Sequence, residues 1–172
     1  MPANVIVGSQ WGDEGKGKII DIMASRADVV VRSTGGNNAG HTVVNNGEVY
    51  KLHLIPSGIL YPNTLCLIGA GVVLDPKDFI SELDSLESRG ISTANLKIDP
   101  RAHVVMPWHI TLDGLSESFR GNSDIGTTKR GIGPTYMDKY ERSGLRICDL
   151  INPELFAVKA KSAGELKNAI IT

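Results

Sequence analysis

The sequence predicts an α/β fold: a mostly parallel sheet with a P-loop-like glycine-rich phosphate loop and a β-hairpin insertion. Three observations carry this. Short apolar runs lead into glycines at Gly8, Gly35 and Gly69, the pattern of buried parallel strands followed by ligand-facing loops. Between the first two runs, Ile19, Ile22, Met23 and Arg26 fall at helical spacing. The chain therefore opens as strand, glycine turn, helix, strand, a βαβ unit that implies a parallel pair. Finally, Asn46-Gly47 separates two β-rich runs, the strongest short hairpin signal.

In order, residues 4–8 read as a buried strand, and residues 9–17 as a polar turn carrying Gly12, Gly15 and Gly17. Residues 18–26 read as a helix and residues 28–32 as a second, fully apolar strand. A second glycine-rich loop fills residues 33–40, before the hairpin on Asn46-Gly47. Residues 64–68 read as another buried strand. Asp75 then caps a helix with Pro76 at its first position, Phe79, Leu83 and Leu86 as its apolar stripe and Gly90 as its stop. Residues 96–98 and 103–106 are short strands, and residues 107–119 a helix. Residues 121–133 form a third glycine-rich loop, and residues 152–172 a closing helix. No repeat or linker divides the 172 residues, a length that suits one domain or two at most.

Charge and composition remove several classes of function. Eighteen Lys+Arg stand against nineteen Asp+Glu, a net charge of −1, so non-specific binding to nucleic acid or membrane has no support. No apolar run approaches the roughly 20 residues of a membrane span, and the first residues, MPANVIVG, lack the basic n-region and long apolar segment expected of a signal peptide. Cys66 and Cys148 form no CxxC pair. A reduced, cytoplasmic protein without disulfide or zinc is the expectation.

The chemistry concentrates in the first loop, Gly12-Asp-Glu-Gly-Lys-Gly-Lys18. Glycines let successive N–H groups converge on an anion, the following helix adds its positive end, and Lys16 and Lys18 add full charges. This suits a nucleotide polyphosphate. The loop departs from the Walker A pattern, because Gly17-Lys18 is followed by Ile19 rather than a hydroxyl that could hold Mg²⁺. A carboxylate inside a phosphate cradle repels the ligand unless it binds a metal or moves a proton, which singles out Asp13. The plain alternative is a surface turn with solvated charges. His41 leaves the second loop, which should face the first, and is a candidate acid. His53, His103 and His109 read as structural.

Trp11-Gly-Asp-Glu-Gly-Lys-Gly-Lys18 resembles the N-terminal signature of adenylosuccinate synthetases. Four further blocks follow in that family's order. They are Gly35-Gly-Asn-Asn-Ala-Gly-His-Thr42, His53-Leu-Ile-Pro-Ser-Gly-Ile59, Gly126-Thr-Thr-Lys-Arg-Gly-Ile-Gly-Pro134, and Tyr136-Met-Asp-Lys139 with Arg142-Ser-Gly-Leu-Arg146. The resemblance implies ligation of IMP and L-aspartate to adenylosuccinate, driven by GTP with Mg²⁺, through a 6-phosphoryl-IMP intermediate. It implies Asp13 as base and metal ligand, His41 as general acid and the Gly40 carbonyl as a second metal ligand. It assigns Gly12, Asp13, Glu14, Gly15, Lys16, Gly17, Lys18, Gly40, His41 and Thr42 to GTP. Asp13, Lys16, Asn38, Thr128 and Arg142 go to IMP, with Arg142 reaching the neighbouring subunit of a homodimer. Lys129 departs from the family's block and adds charge near the IMP phosphate. By the resemblance, residues 1–172 are the N-terminal portion of one GTP- and IMP-binding domain, incomplete relative to the family's full domain. The guanine-recognition and aspartate-binding segments are absent from it. The competing reading is a catalytically inactive nucleotide-binding remnant of that enzyme.

Overall fold

A computed structural model describes residues 2–9, 15–120 and 126–172. The elements run α1 (Lys16–Ala24), β1 (Val29–Gly35), β2 (His41–Asn45), β3 (Glu48–Leu52) and a 3-10 turn (Ser57–Leu60). They continue with β4 (Leu65–Leu74), α2 (Pro76–Glu87), β5 (Leu96–Ile98), β6 (His103–Val104) and α3 (Pro107–Arg120). Three helices close the chain: α4 (Ile132–Glu141), α5 (Ile147–Leu150) and α6 (Pro153–Ile171).

β4 is the axis of the sheet, and every ladder on it is parallel. β1 lies along one side, Val29 opposite Leu65 and Arg32 opposite Ile68. The register then slips, so that Thr34 faces Gly71 and Gly35 faces Val72. A Cβ on Gly71 would sit 2.1 Å from the Ser33 carbonyl oxygen, so the slip needs a glycine there. β5 pairs with residues 66–68 of β4, and β6 with Val73 and Leu74 further along it. β2 and β3 form the expected antiparallel hairpin. Asn46 and Gly47 both have positive φ, 51° and 80°, as a tight two-residue hairpin turn requires.

α2 forms as its sequence dictates. The Asp75 side chain accepts from the Lys77 and Asp78 backbone N–H groups at 2.9 and 3.3 Å, and Pro76 occupies the first turn. Phe79, Leu83 and Leu86 pack on a core of Val43, Tyr50, Leu52, Ile55, Ile59, Leu60 and Cys66. Phe79 also touches a second cluster made by Leu54, Ile68, Val72 and Leu74. α3, α4 and α6 meet around a buried polar group. The His109 Nε2 lies 3.0 Å from Asp138 Oδ2, and the Lys167 ammonium donates to Asp138 Oδ1 at 2.5 Å.

Three expectations are corrected. Residues 4–8 form no strand, and Val5 and Val7 are 82% and 77% exposed. An apolar run becomes a strand only where a ladder receives it, and β1 gives its ladder to β4, so the parallel pair is β1–β4 rather than the opening βαβ unit. The first helix runs Lys16–Ala24 rather than over residues 18–26, and Ile19, Ile22 and Met23 on it are exposed while only Ala24 is buried. β1 is likewise half-open, with Val29 and Val31 exposed. Finally, the end of the third loop is helical, since α4 begins at Ile132 behind a left-handed Gly131. Gly133 and Pro134 lie in its first turn, where proline's missing N–H costs nothing. Among the described residues no helix is long and apolar enough to cross a membrane.

Candidate functional site

The first and second glycine loops meet where α1 begins. Gly15 caps α1 at φ +83°, with Lys16, Gly17 and Lys18 in the first turn and no acidic residue there. That end carries the positive end of the helix dipole. A Cβ on Gly17 would lie 2.9 Å from the His41 Cβ. The first turn of α1 therefore rests directly on the residue that leaves the second loop. Gly12, Asp13 and Glu14 lie outside the described residues, so the loop's carboxylates have no described geometry.

His41 is half-buried at the start of β2. Burial lowers its pKa, and the neighbouring Arg32 and His53 charges push the same way, so the ring is neutral near pH 7 in the ligand-free chain. Gly40 is exposed, yet a Cβ on it would meet His53 Nε2 at 2.7 Å. His53 thus forms the floor under the second loop. Its backbone is gripped from two sides. Arg32 donates to the His53 carbonyl and, at 2.7 Å, to the Gly36 carbonyl. Glu82 on α2 accepts from the N–H groups of His53, Leu54 and Ile55 at 2.9, 2.9 and 3.2 Å. Burial lowers the pKa of Arg32, which Glu82 partly restores. Sequence reasoning missed both grips. Arg32 was visible as a charge ending an apolar run, but Glu82 looks like any other polar position of α2.

The third loop closes on the second. Arg130 Nη1 donates to Asp78 Oδ2 at 2.7 Å and to the Asn37 carbonyl at 3.2 Å, while Asn37 Nδ2 donates to the same Asp78 oxygen at 2.5 Å. The Tyr136 hydroxyl accepts from Gly35 N–H at 2.9 Å and donates to the Gly71 carbonyl at 2.7 Å. A Cβ on Gly36 would collide with Ile132 Cδ1 at 2.5 Å. Asn38 and Thr128 are exposed on these joined loops, and Thr42 is exposed on β2. Arg142 is placed apart from them. It caps the far end of α4 at φ +70° and is exposed, about 15 Å of helix away from Gly131. Beside the joint, a cleft of about 290 Å³ opens between β3 and α2, with His53, Asp78, Ser81, Arg89 and Arg130 on its walls.

His103 and His109 are buried, in keeping with their structural reading. The His109 Nδ1 accepts from Met106 N–H at 2.9 Å, which leaves Nε2 to donate to Asp138. Burial also pushes the Cys66 thiol up to about 11, so it is inert at neutral pH.

The adenylosuccinate synthetase family pattern matches residues 5–172. The chain belongs to the adenylosuccinate synthetase family. It is 60% identical over 171 residues to the adenylosuccinate synthetase of Clostridioides difficile, covering 99% of this chain and 40% of that one. It is 61% identical over 167 residues to the Caldicellulosiruptor bescii adenylosuccinate synthetase, covering 97% and 39%. Among solved structures, the fully ligated adenylosuccinate synthetase of Plasmodium falciparum superposes with a TM-score of 0.82 at 38% identity, over 93% of this chain and 39% of that one. The chain thus spans about two fifths of the length of the relatives it matches.

Mg²⁺ prefers hard oxygen donors, few of them from protein, with phosphate oxygens and water completing the shell. Among the described residues no cluster of three His, Cys, Asp or Glu side chains offers an all-protein cage. Gly40, which the resemblance names for the metal, is exposed, and a backbone carbonyl oxygen is a donor of the hard kind Mg²⁺ takes.

Proposed function

We propose that this chain supplies the phosphate-handling half of a GTP-dependent ligase that joins IMP to L-aspartate in the cytoplasm and forms adenylosuccinate. The observation that carries the reading is the seating of Gly17 on His41, because it turns two glycine loops toward one space. The start of α1, with Lys16 and Lys18, holds the polyphosphate of GTP. Asp13 removes the N1 proton of IMP, so that O6 attacks the γ-phosphorus and GDP leaves. The amino group of aspartate then displaces phosphate from C6. His41 donates a hydrogen bond or proton to the oxygen that bridges to GDP. A polyphosphate beside it raises the pKa that burial and Arg32 have lowered. Asn38 and Thr128 hold the IMP phosphate. Arg142, remote from both along α4, serves the neighbouring subunit of a homodimer. Gly40 and Asp13 would hold Mg²⁺, which neutralises charge on the transferring phosphoryl group. Preorganised positive charge around that group is the main source of rate.

The test is a chimera in which these 172 residues replace the matching portion of the Clostridioides difficile enzyme. It should form adenylosuccinate from IMP, GTP and aspartate. Asp13→Ala in the chimera should cost more than the 10²–10⁴-fold typical of a lost base, since a metal ligand goes too. His41→Asn should lower kcat far more than it raises the KM for IMP. An inactive chimera beside an active parent would leave the chain as a nucleotide-binding remnant. An Asp13→Ala chimera within about tenfold of its parent would remove Asp13 from the chemistry.

A further inference from the structure

We propose that Asp78, on α2, is a positioning residue for the phosphate of a bound nucleoside monophosphate. It acts through Arg130 and Asn37, which fasten the loop of Thr128 onto the loop of Asn38. The inference rests on the reading of Asn38 and Thr128 as phosphate ligands.

One carboxylate oxygen makes the joint. Asp78 Oδ2 accepts from Asn37 Nδ2 and from Arg130 Nη1, and Arg130 closes the triangle on the Asn37 carbonyl. Asn37 is 1% exposed, and among the described residues its Oδ1 has no partner and its side chain's hydrogen bond is the one to Asp78. It immediately precedes Asn38. Arg130 follows Thr128 after a single residue, Lys129, whose φ of +53° marks a sharp turn of the chain. The other contacts between the loops, Gly36 with Ile132 and Gly35 with the Tyr136 hydroxyl, lie on the α4 side of Arg130. α3 also holds this stretch, through Thr127 N–H to Glu117 Oε1 at 3.4 Å and Gly131 N–H to Asp113 Oδ2 at 2.9 Å, while Arg130 is what ties the stretch of Thr128 to the loop of Asn38. A negative charge near a phosphate ligand is unfavourable by itself. Pairing with Arg130 cancels it and stops the guanidinium from swinging out.

Energetics separate this role from a structural one. The Asp78 and Arg130 side chains are 40% and 42% exposed, and ion pairs of that exposure contribute little to stability. Losing the ion pair by itself should hardly move the unfolding midpoint, yet it should release the loop that meets the phosphate.

The test titrates the 172-residue chain with IMP and with inosine, which differ only in the phosphate. The wild-type chain should prefer IMP by about tenfold or more, a modest share of what one charged contact can supply. Asp78→Ala should cut that preference to about twofold with inosine affinity unchanged, and its urea midpoint should fall as well, because the buried Asn37 amide loses its acceptor. Asp78→Asn keeps an acceptor oxygen and should cut the preference less. Asp78→Ala combined with Arg130→Ala should lose no more than Arg130→Ala alone, as members of one unit do. An Asp78→Ala chain that prefers IMP as strongly as wild type, or more strongly, overturns the proposal. So does a change confined to the urea midpoint. A wild-type chain that binds IMP and inosine equally instead overturns the assignment of Asn38 and Thr128, and the proposal with it.

Discussion

The two flanks of β1 differ in how they are finished. Toward β4, every element is interlocked: α2 is capped and packed, Tyr136 bridges β1 and β4, and Arg130 and Asp78 fasten two loops together. Toward the N-terminus, Val5, Val7, Ile19, Ile22 and Met23 are exposed, as are Val29 and Val31 of β1. His41 sits on the line between the two, with Arg32 and His53 behind it and α1 in front. The lesson is that the candidate site has one rigid wall and one weakly held wall. Local stability in proteins is uneven in this way, and the parts that meet ligands come from its lower end.

Substitutions can break or sharpen that contrast. The largest effect is expected at Asp138 on the interlocked side. Asp138→Ala would leave Lys167 and His109 buried, at 6% and 0% exposure, without their shared partner. Orphaning buried charge in this way costs about 3–5 kcal/mol, read as a fall in the urea unfolding midpoint. A loss below about 1 kcal/mol would show that the triad is not part of the rigid wall.

Gly71→Ala should come next. Its new Cβ would press on the Ser33 backbone, which has no flexible end to yield, and overpacking of that kind costs about 1–3 kcal/mol. An unaltered midpoint would mean that the β1–β4 slip can re-register.

Acid should weaken the same flank. Burial, and then the Lys139 and Arg146 charges, push the His103 pKa down to about 4, and burial lowers that of His109. In the unfolded chain histidine titrates near 6.5. Between about 6.5 and 4 the unfolded state therefore binds more protons, so this stability is complete above 6.5 and is lost as the pH falls toward 4. Urea midpoints measured across that window should decline. His103→Gln should flatten the decline, and an equal slope in the variant would move the effect elsewhere.

The smallest stability change is expected on the open flank. Ile22→Ser, at a position 67% exposed, should shift stability by no more than about 0.5 kcal/mol. The same change should reduce self-association seen by sedimentation, since contiguous exposed apolar surface promotes it. A large loss of stability would show that α1 is packed in solution.

The contrast also separates what the sequence reveals from what it hides. Features written in neighbouring residues were legible: the Asn46-Gly47 turn, the Asp75-Pro76 cap and the Gly90 stop. α4 was hidden because Gly131, Gly133 and Pro134 punctuate its start, and local turn signals outweighed the 3.6-residue pattern behind them. Residues 4–8 carry a strand's composition, but a strand depends on a partner edge that composition does not encode. Of the candidate site, the glycine loops and His41 stand out in the sequence by residue type. Glu82, Asp78 and Asn37 were not, because their meaning comes from groups brought in by the fold from far along the chain. Asp13, the residue with the clearest chemical signature, lies outside the described residues.

The long strand β4 has a consequence of its own for how the molecule breathes. Its first half pairs with β5 and its second half with β6, and the glycines between them coincide with the slip against β1. The ladder is therefore two short zippers joined by a hinge rather than one continuous zipper. Opening one need not open the other. In deuterated water, the amides around Ile68 and those around Leu74 should fall into two exchange classes with separate opening energies. The loop carried by the second class would then feel a disturbance at β6 before one at β5.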